Sequence, residues 1–279
     1  MGSQFRTLTA SDVERFARDG YVVVNEAFAR ADALAMETRW WSELEQAHDV
    51  RPGDRSTWRH IRGDLKAAKR DPIQNRILTE RVRGVFDDLL GTDAWSRPKD
   101  WGRPIVTFPA PGAWDLPTRF WHWDNPSEPH LDRPRGLFVV SFIGSVAPAG
   151  GGTLIVSGSP RLLIQRQREL PPDQRPDPAA KPWDGFGGSH PWLAALTGQG
   201  PSPADRIAAF MDRETVVEGV PLRVVELTGE PGDMVFCHPA MVHCSAPNRG
   251  ARPRFMRIKQ QFLTSEGREL LRTLERPRW

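Results

Sequence analysis

Residues 232–262 read GDMVFCHPAMVHCSAPNRGARPRFMRIKQQF. Gly232-Asp233 supplies a turn, and the run Asp233–Cys237 has the length and apolar texture of a strand. Pro247-Asn248 ends the next segment. From Arg254 to Phe262 the chain reads as a strand again. Arg254, Met256, Ile258 and Gln260 share one face of it, because successive strand side chains alternate. Upstream, similar runs recur at Ile105–Phe108, Phe120–Asp124, Leu137–Val146, Gly152–Val156 and Arg223–Leu227, with Pro and Gly between them. Many short strands punctuated by turn signals predict a sandwich or jelly roll.

The N-terminal part, 1–103, is mostly helical in pattern. Ser11 and Glu14 have capping-box spacing. Val13, Phe16 and Ala17 form an apolar stripe, and Asp19-Gly20 stops that helix before a strand at Tyr21–Val24. A second helix spans about Arg30–Ala47, with Ala33, Met36, Trp40 and Leu44 on one side. Residues 51–72 are polar and irregular. A third helix is predicted from about Pro72 to Leu90, ended by Gly91. Residues 158–220 are rich in Pro, Gly, Gln and Arg, with a helical patch near Pro203–Met211, and read as a lid-like insertion. The expected fold is α+β, mainly β. One domain covers 1–279, with N-terminal helices packed on a β core over 104–279.

A chain of 279 residues with 39% hydrophobic and 26% charged content is ordinary for a soluble globular protein. The net charge of +3 comes with scattered arginines and no basic block, so nucleic acid is not an expected partner. No apolar run is long enough to cross a membrane. The opening MGSQFRTLTASD lacks a signal-peptide core, and a cytoplasmic protein is expected. The two cysteines, Cys237 and Cys244, read as reduced, buried thiols. Eleven tryptophans against one tyrosine mark either core or pocket lining.

The chemistry gathers around Phe120-Trp121-His122-Trp123-Asp124. On a strand His122 and Asp124 point to one face while the tryptophans point to the other. Imidazole plus carboxylate suits Fe(II) and leaves room for further ligands. The third ligand has to come from far along the chain. His243 and His238 compete for that place, and His243 is favoured by its spacing to Arg254 and by the Pro-Asn that follows. Arg254, facing inward among apolar neighbours, needs an anionic partner. A bound dicarboxylate supplies one, and its planar fork suits a carboxylate better than a lysine would. With Fe(II), Asp124 and a doubly charged diacid, the buried charges cancel. Arg252 is the rival but lies before Pro253, in the loop. Thr107 and Thr153 sit on strands expected to face the pocket, where either can bond a cosubstrate carboxylate or serve as an ordinary strand residue.

His122-x-Asp124, Gly232-Asp233, His243, Ser245-x-Pro247-Asn248 and Arg254 together resemble the phytanoyl-CoA dioxygenase family, a branch of the Fe(II)/2-oxoglutarate-dependent oxygenases. The opening 8–23 and Gly152–Ser159 are similar too. The resemblance is weakest over 25–100 and 160–220. It implies a double-stranded β-helix, with His122, Asp124 and His243 as metal and catalytic residues and Arg254 on the distal carboxylate of 2-oxoglutarate. It also implies Fe(II), with 2-oxoglutarate and O2 as cosubstrates, succinate and CO2 as products, and a small organic substrate. Asp124 argues against halogenation, for which relatives replace this carboxylate by a small residue. Two departures stand out: the insertion is long, and Ser159 is followed by Pro160 where the family often has His. Two alternatives stay open, a cupin-type metal enzyme without 2-oxoglutarate and a non-catalytic binding protein on the same fold. His48, His60, His130 and His190 are expected on the surface. Arg161, Arg166, Arg168 and Lys181 read as a solvated face.

Overall fold

The computed structural model describes residues 5–59, 65–124, 131–170 and 187–273. His60, His130 and Lys181 lie outside the described residues. Nine strands form two antiparallel sheets among them. The first has the order β1 (Tyr21–Val24), β7 (Met234–Cys237), β3 (Gly136–Phe142), β9 (Arg254–Phe262) and β2 (Arg103–Thr107). The second has the order β5 (Thr215–Val217), β6 (Val220–Glu226), β4 (Thr153–Ser157) and β8 (His243–Ser245).

The period-2 alternation sorts the core into layers. On β3, Phe138, Val140 and Phe142 join Val235 and Cys237 of β7, Met256 of β9 and Ile155 of β4 in one cluster between the sheets. The alternate residues Leu137, Val139, Met234, Phe236 and Phe255 pack outward against helices α2 (Arg30–His48) and α4 (Glu80–Leu90). On the far side, Leu154, Val156, Leu222 and Val224 meet the apolar faces of α5 (Ser159–Glu169), α6 (Pro191–Thr197) and α7 (Arg206–Phe210). No helix among the described residues is long and apolar enough to cross a membrane.

The helix α2 buries Ala33, Met36, Trp40 and Leu44, the four residues its periodicity singles out. Helix α1 (Ala10–Asp19) starts two residues earlier than the Ser11/Glu14 spacing suggests. Thr9 is its N-cap and forms a reciprocal box with Asp12, and Gly20 closes it at φ +84. The single helix expected over 72–90 is two elements. A 3-10 turn occupies Pro72–Ile77, and α4 restarts because the Thr79 hydroxyl caps the Val82 N–H. Among the described residues of 51–72 the chain forms a short 3-10 turn, Arg55–Thr57, and α3 (Lys66–Arg70). The helix α8 (Ser265–Thr273) follows the last strand.

The run Phe120–Asp124 is not a strand. Only His122 pairs, in an isolated antiparallel bridge to His243. Phe120 breaks the extended path with φ +67. The predicted alternation survives nonetheless: Trp121 and Trp123 are buried, His122 is exposed and Asp124 is half-buried. Strands β5 and β8, three residues each, carry too little pattern to be seen in sequence. Cys237 and Cys244 are both buried and unbridged.

Candidate metal centre

The bridge between His122 and His243 fixes two donors at once. The His122 N–H donates to the His243 carbonyl at 3.0 Å, and the His243 N–H returns a bond to the His122 carbonyl at 2.7 Å. Strand β4 holds β8 from the other side, with Ile155 opposite His243. Asp124 follows two residues after His122. The candidate ligand atoms of His122, Asp124 and His243 all lie within 4.8 Å of one another.

Backbone carbonyls select the tautomers. Nδ1 of His122 meets the Phe120 carbonyl at 2.8 Å, and Nδ1 of His243 meets the Met241 carbonyl at 2.9 Å. A carbonyl only accepts, so each Nδ1 carries the proton and each Nε2 keeps its lone pair. That is the form a metal ligand requires. His243 is buried, and the Phe138 ring stacks on it at 4.7 Å. Burial pushes its pKa down, the adjacent His122 ring adds to this, and the Met241 carbonyl and Asp124 offset part of it. A neutral imidazole, able to ligate, is the result.

Arg254 opens β9 opposite Thr107 and is 2% exposed. One terminal nitrogen donates to the Gly151 carbonyl and the other to Thr107 Oγ1. Its Nε has no partner among the described residues, and no carboxylate there comes within ion-pair distance. Burial pushes its pKa down to about 10, and Glu226 offsets only part. The Glu226 carboxylate is otherwise engaged, accepting the N–H groups of Ala149 and Gly152. A buried guanidinium without a carboxylate partner among the described residues has the chemistry to accept an anion. Arg252 is exposed in the loop.

Thr107 spends its hydroxyl on Arg254 and so shapes the anion site through that contact. Thr153 is 2% exposed and sits opposite Ser245 on β8, on the Ile155 side of β4. Ser245 lies two residues beyond His243 and is exposed into a cleft that His122 also lines. Asn248 is 1% exposed and ties the β8–β9 loop. Its amide donates to the carbonyls of Thr107 and Arg252, and its Oδ1 accepts from Gly250.

His238 is not part of the donor cluster. The Ala240 N–H donates to its Nδ1, so its proton is on Nε2, the opposite tautomer to the other two. Burial pushes its pKa down to about 4, with the Leu131 carbonyl and Asp132 opposing. Arg206 was missed entirely. It is 7% exposed and donates to the carbonyls of Ala195, Leu196 and Pro117. The Pro117 carbonyl also accepts from Trp121 Nε1, which links the insertion to the segment carrying His122. Arg166 and Arg168 pair with Glu218 and Asp132 and are not directed at the centre; Arg161 is exposed, and of the surface histidines His190 caps α6.

Two histidine nitrogens and one carboxylate form a cluster that could hold a metal ion, and the same fold carries a buried arginine. The sequence profile of the phytanoyl-CoA dioxygenase (PhyH) family matches residues 16–256. The chain belongs to that family, which lies within the Fe(II)/2-oxoglutarate-dependent oxygenases. A search of curated protein sequences gives no match. Among solved structures, the chain is similar to SnoK, a non-heme alpha-ketoglutarate-dependent carbocyclase from nogalamycin biosynthesis. That pair shares 15% identity over 92% of this chain and 85% of SnoK, with a TM-score of 0.57. EctD from S. alaskensis, crystallised with bound Fe, shares 17% over 100% and 83%, TM-score 0.55. HygX from Streptomyces hygroscopicus, with nickel and 2-oxoglutarate bound, shares 14% over 92% and 88%, TM-score 0.53. At these identities the likeness is one of fold.

Proposed function

We propose that the protein is an Fe(II)/2-oxoglutarate-dependent dioxygenase that hydroxylates, or otherwise oxidises, a small organic metabolite with release of succinate and CO2. One observation carries the reading: His122, Asp124 and His243 bring three ligand atoms within 4.8 Å of one another, and the same fold buries Arg254 with no carboxylate partner among the described residues. The donor chemistry fits Fe(II), since two neutral imidazoles and a carboxylate leave positions open. The charges fit as well, because a ferrous ion, a dicarboxylate, Asp124 and Arg254 sum to zero in a buried site. When bound, iron would activate O2, the oxidant, with two electrons coming from decarboxylation of 2-oxoglutarate to succinate and CO2 and two from the substrate C–H bond.

The chain's own groups do the rest. The carbonyls of Phe120 and Met241 aim both Nε2 atoms at one point. Arg254 holds the far carboxylate of the diacid, and Thr107 and Gly151 fix the guanidinium so that its fork is set in advance. Ser245 and Thr153 offer hydroxyls on the same wall. Phe138 and the apolar layer between the sheets exclude water. The finer fold belongs to the same reading. The order β7-β3-β9-β2 against β6-β4-β8, with the His122 segment bridged to β8 and every pairing antiparallel, supports a double-stranded β-helix (jelly roll). The described part of the insertion, 158–170 and 187–214, then covers the outer face of the second sheet, and β5 (Thr215–Val217) joins that sheet.

The test is succinate formation from 2-oxoglutarate by purified protein with Fe(II) and O2, compared with His122→Ala and Asp124→Ala. Stoichiometric iron binding with no charge-transfer absorption on adding 2-oxoglutarate, and no turnover, rejects the proposal. Turnover that needs iron but not 2-oxoglutarate points to the cupin-type alternative.

A further inference from the structure

Phe120 is the unexplained residue beside the centre. Its backbone lies at φ +67, a region that glycine or asparagine occupies freely and a bulky side chain does not. The conformation has an internal use, because the Phe120 carbonyl accepts from His122 Nδ1. The side chain has none. It is 85% exposed and adds almost nothing to the core. Glycine would make the same turn with less strain. A ring retained at a strained position, without burial, is explained by something that comes from outside the chain.

The surroundings narrow what that is. Phe120 stands on the wall of a cleft of about 530 Å3 shared with Asp115, Pro117, His122, Ser245 and Pro247. That volume suits a small molecule. Among the described residues that line it, Asp115 is the only carboxylate and none is a lysine or arginine; Asp115 lies 3.9 Å from Arg206. Such a wall offers apolar area and no lysine or arginine side chain for a phosphate.

We infer that Phe120 is a substrate platform, and that the substrate presents a flat apolar face, an aromatic or alicyclic ring, stacked on it rather than a phosphorylated or polyanionic group. This rests on the reading that the cleft beside His122 receives the substrate. An aromatic face gains from an offset or edge contact with a second ring beyond simple burial.

The experiment uses the full chain without metal or 2-oxoglutarate, so its outcome is independent of whether the oxygenase reading survives. Isothermal titration compares 2-naphthol, a flat apolar probe, with glucose 6-phosphate, a polar anionic one, in wild type, Phe120→Gly and Phe120→Trp. Wild type is expected to bind 2-naphthol and not the phosphate. Phe120→Gly is expected to weaken that binding by at least about tenfold, which is the size of a lost ring contact plus its burial. Phe120→Trp restores it. The glycine variant relieves the backbone strain, so its thermal midpoint is expected to stay at or above wild type, and lost binding then cannot be attributed to misfolding. Equal 2-naphthol affinity in Phe120→Gly and wild type overturns the inference. So does a preference for glucose 6-phosphate, or no binding of 2-naphthol up to its solubility.

Discussion

Arg254 shows how one side chain trades stability for function. Its charge is buried with only carbonyl and hydroxyl partners, and burial pushes its pKa down to about 10, well below the ordinary guanidinium range. The unfolded chain releases that strain, so the apo fold carries a penalty of up to about 3 kcal/mol for keeping the group charged at neutral pH. Arg254→Met removes that penalty but leaves the Gly151 carbonyl and the Thr107 hydroxyl without their donor, so the two effects offset and apo stability is expected to stay within about 1–2 kcal/mol of wild type in urea unfolding, while 2-oxoglutarate binding in calorimetry is abolished. Loss of several kcal/mol in the apo variant would contradict this account. His238 gives a pH effect of defined sign. Its folded pKa, about 4, lies below the unfolded 6.5, so the unfolded chain binds the extra proton first. Stability is complete above about pH 6.5 and is lost as pH falls toward 4, by about 3 kcal/mol. His238→Asn, which keeps an acceptor for the Ala240 N–H, is expected to flatten the pH 6.5-to-4 limb of urea-unfolding curves.

Among elements, caps and latches decide more than propensity. The Thr79 hydroxyl accepts from Val82 and donates to the Ala27 carbonyl, which starts α4 and ties it to the loop after β1. Thr79→Ala is expected to lose about 1–2 kcal/mol in chemical denaturation, since both a cap and a buried bond go. Arg206 latches α6 to the segment before His122 through the Leu196 and Pro117 carbonyls. Arg206→Met leaves those acceptors unpaired. It is expected to cost about 2–4 kcal/mol and to open the insertion to limited proteolysis before the rest of the fold. Sequence found the elements whose local pattern is long. The apolar stripe of α2 and the run Arg254–Phe262 are where periodicity put them. It failed where one residue overrides a pattern, as at Thr79 in the 72–90 helix and at Phe120 in the expected strand. The three-residue strand β8 was invisible because its pairing is dictated by β4 and by His122, not by its own composition.

At the scale of the whole molecule, the centre joins parts more than a hundred residues apart, with Thr107 bonded to Arg254 across a separation of 147. Ligands that bind such a site stabilise the fold by mass action. Fe(II) with 2-oxoglutarate at a hundred times its dissociation constant is expected to add about 2.7 kcal/mol, seen as a rise in thermal midpoint that Arg254→Met does not show. An unchanged midpoint in wild type would mean that the diacid does not bind there. Residue types and local periods determined a good deal before any coordinates: a β-rich core behind N-terminal helices, the His-x-Asp pair, and the inward face of Arg254. Those properties depend on neighbours within a few residues, and the chain's chemistry fixes them locally. The sequence favoured His243 over His238 for the third donor, and tertiary structure brings its ligand atom within 4.8 Å of the pair; tertiary structure alone decided that Thr107 engages the guanidinium and that Phe120 stands bare beside the centre. Each of these follows from which distant backbone groups the two sheets bring within hydrogen-bonding reach, and that is a property of the assembled fold.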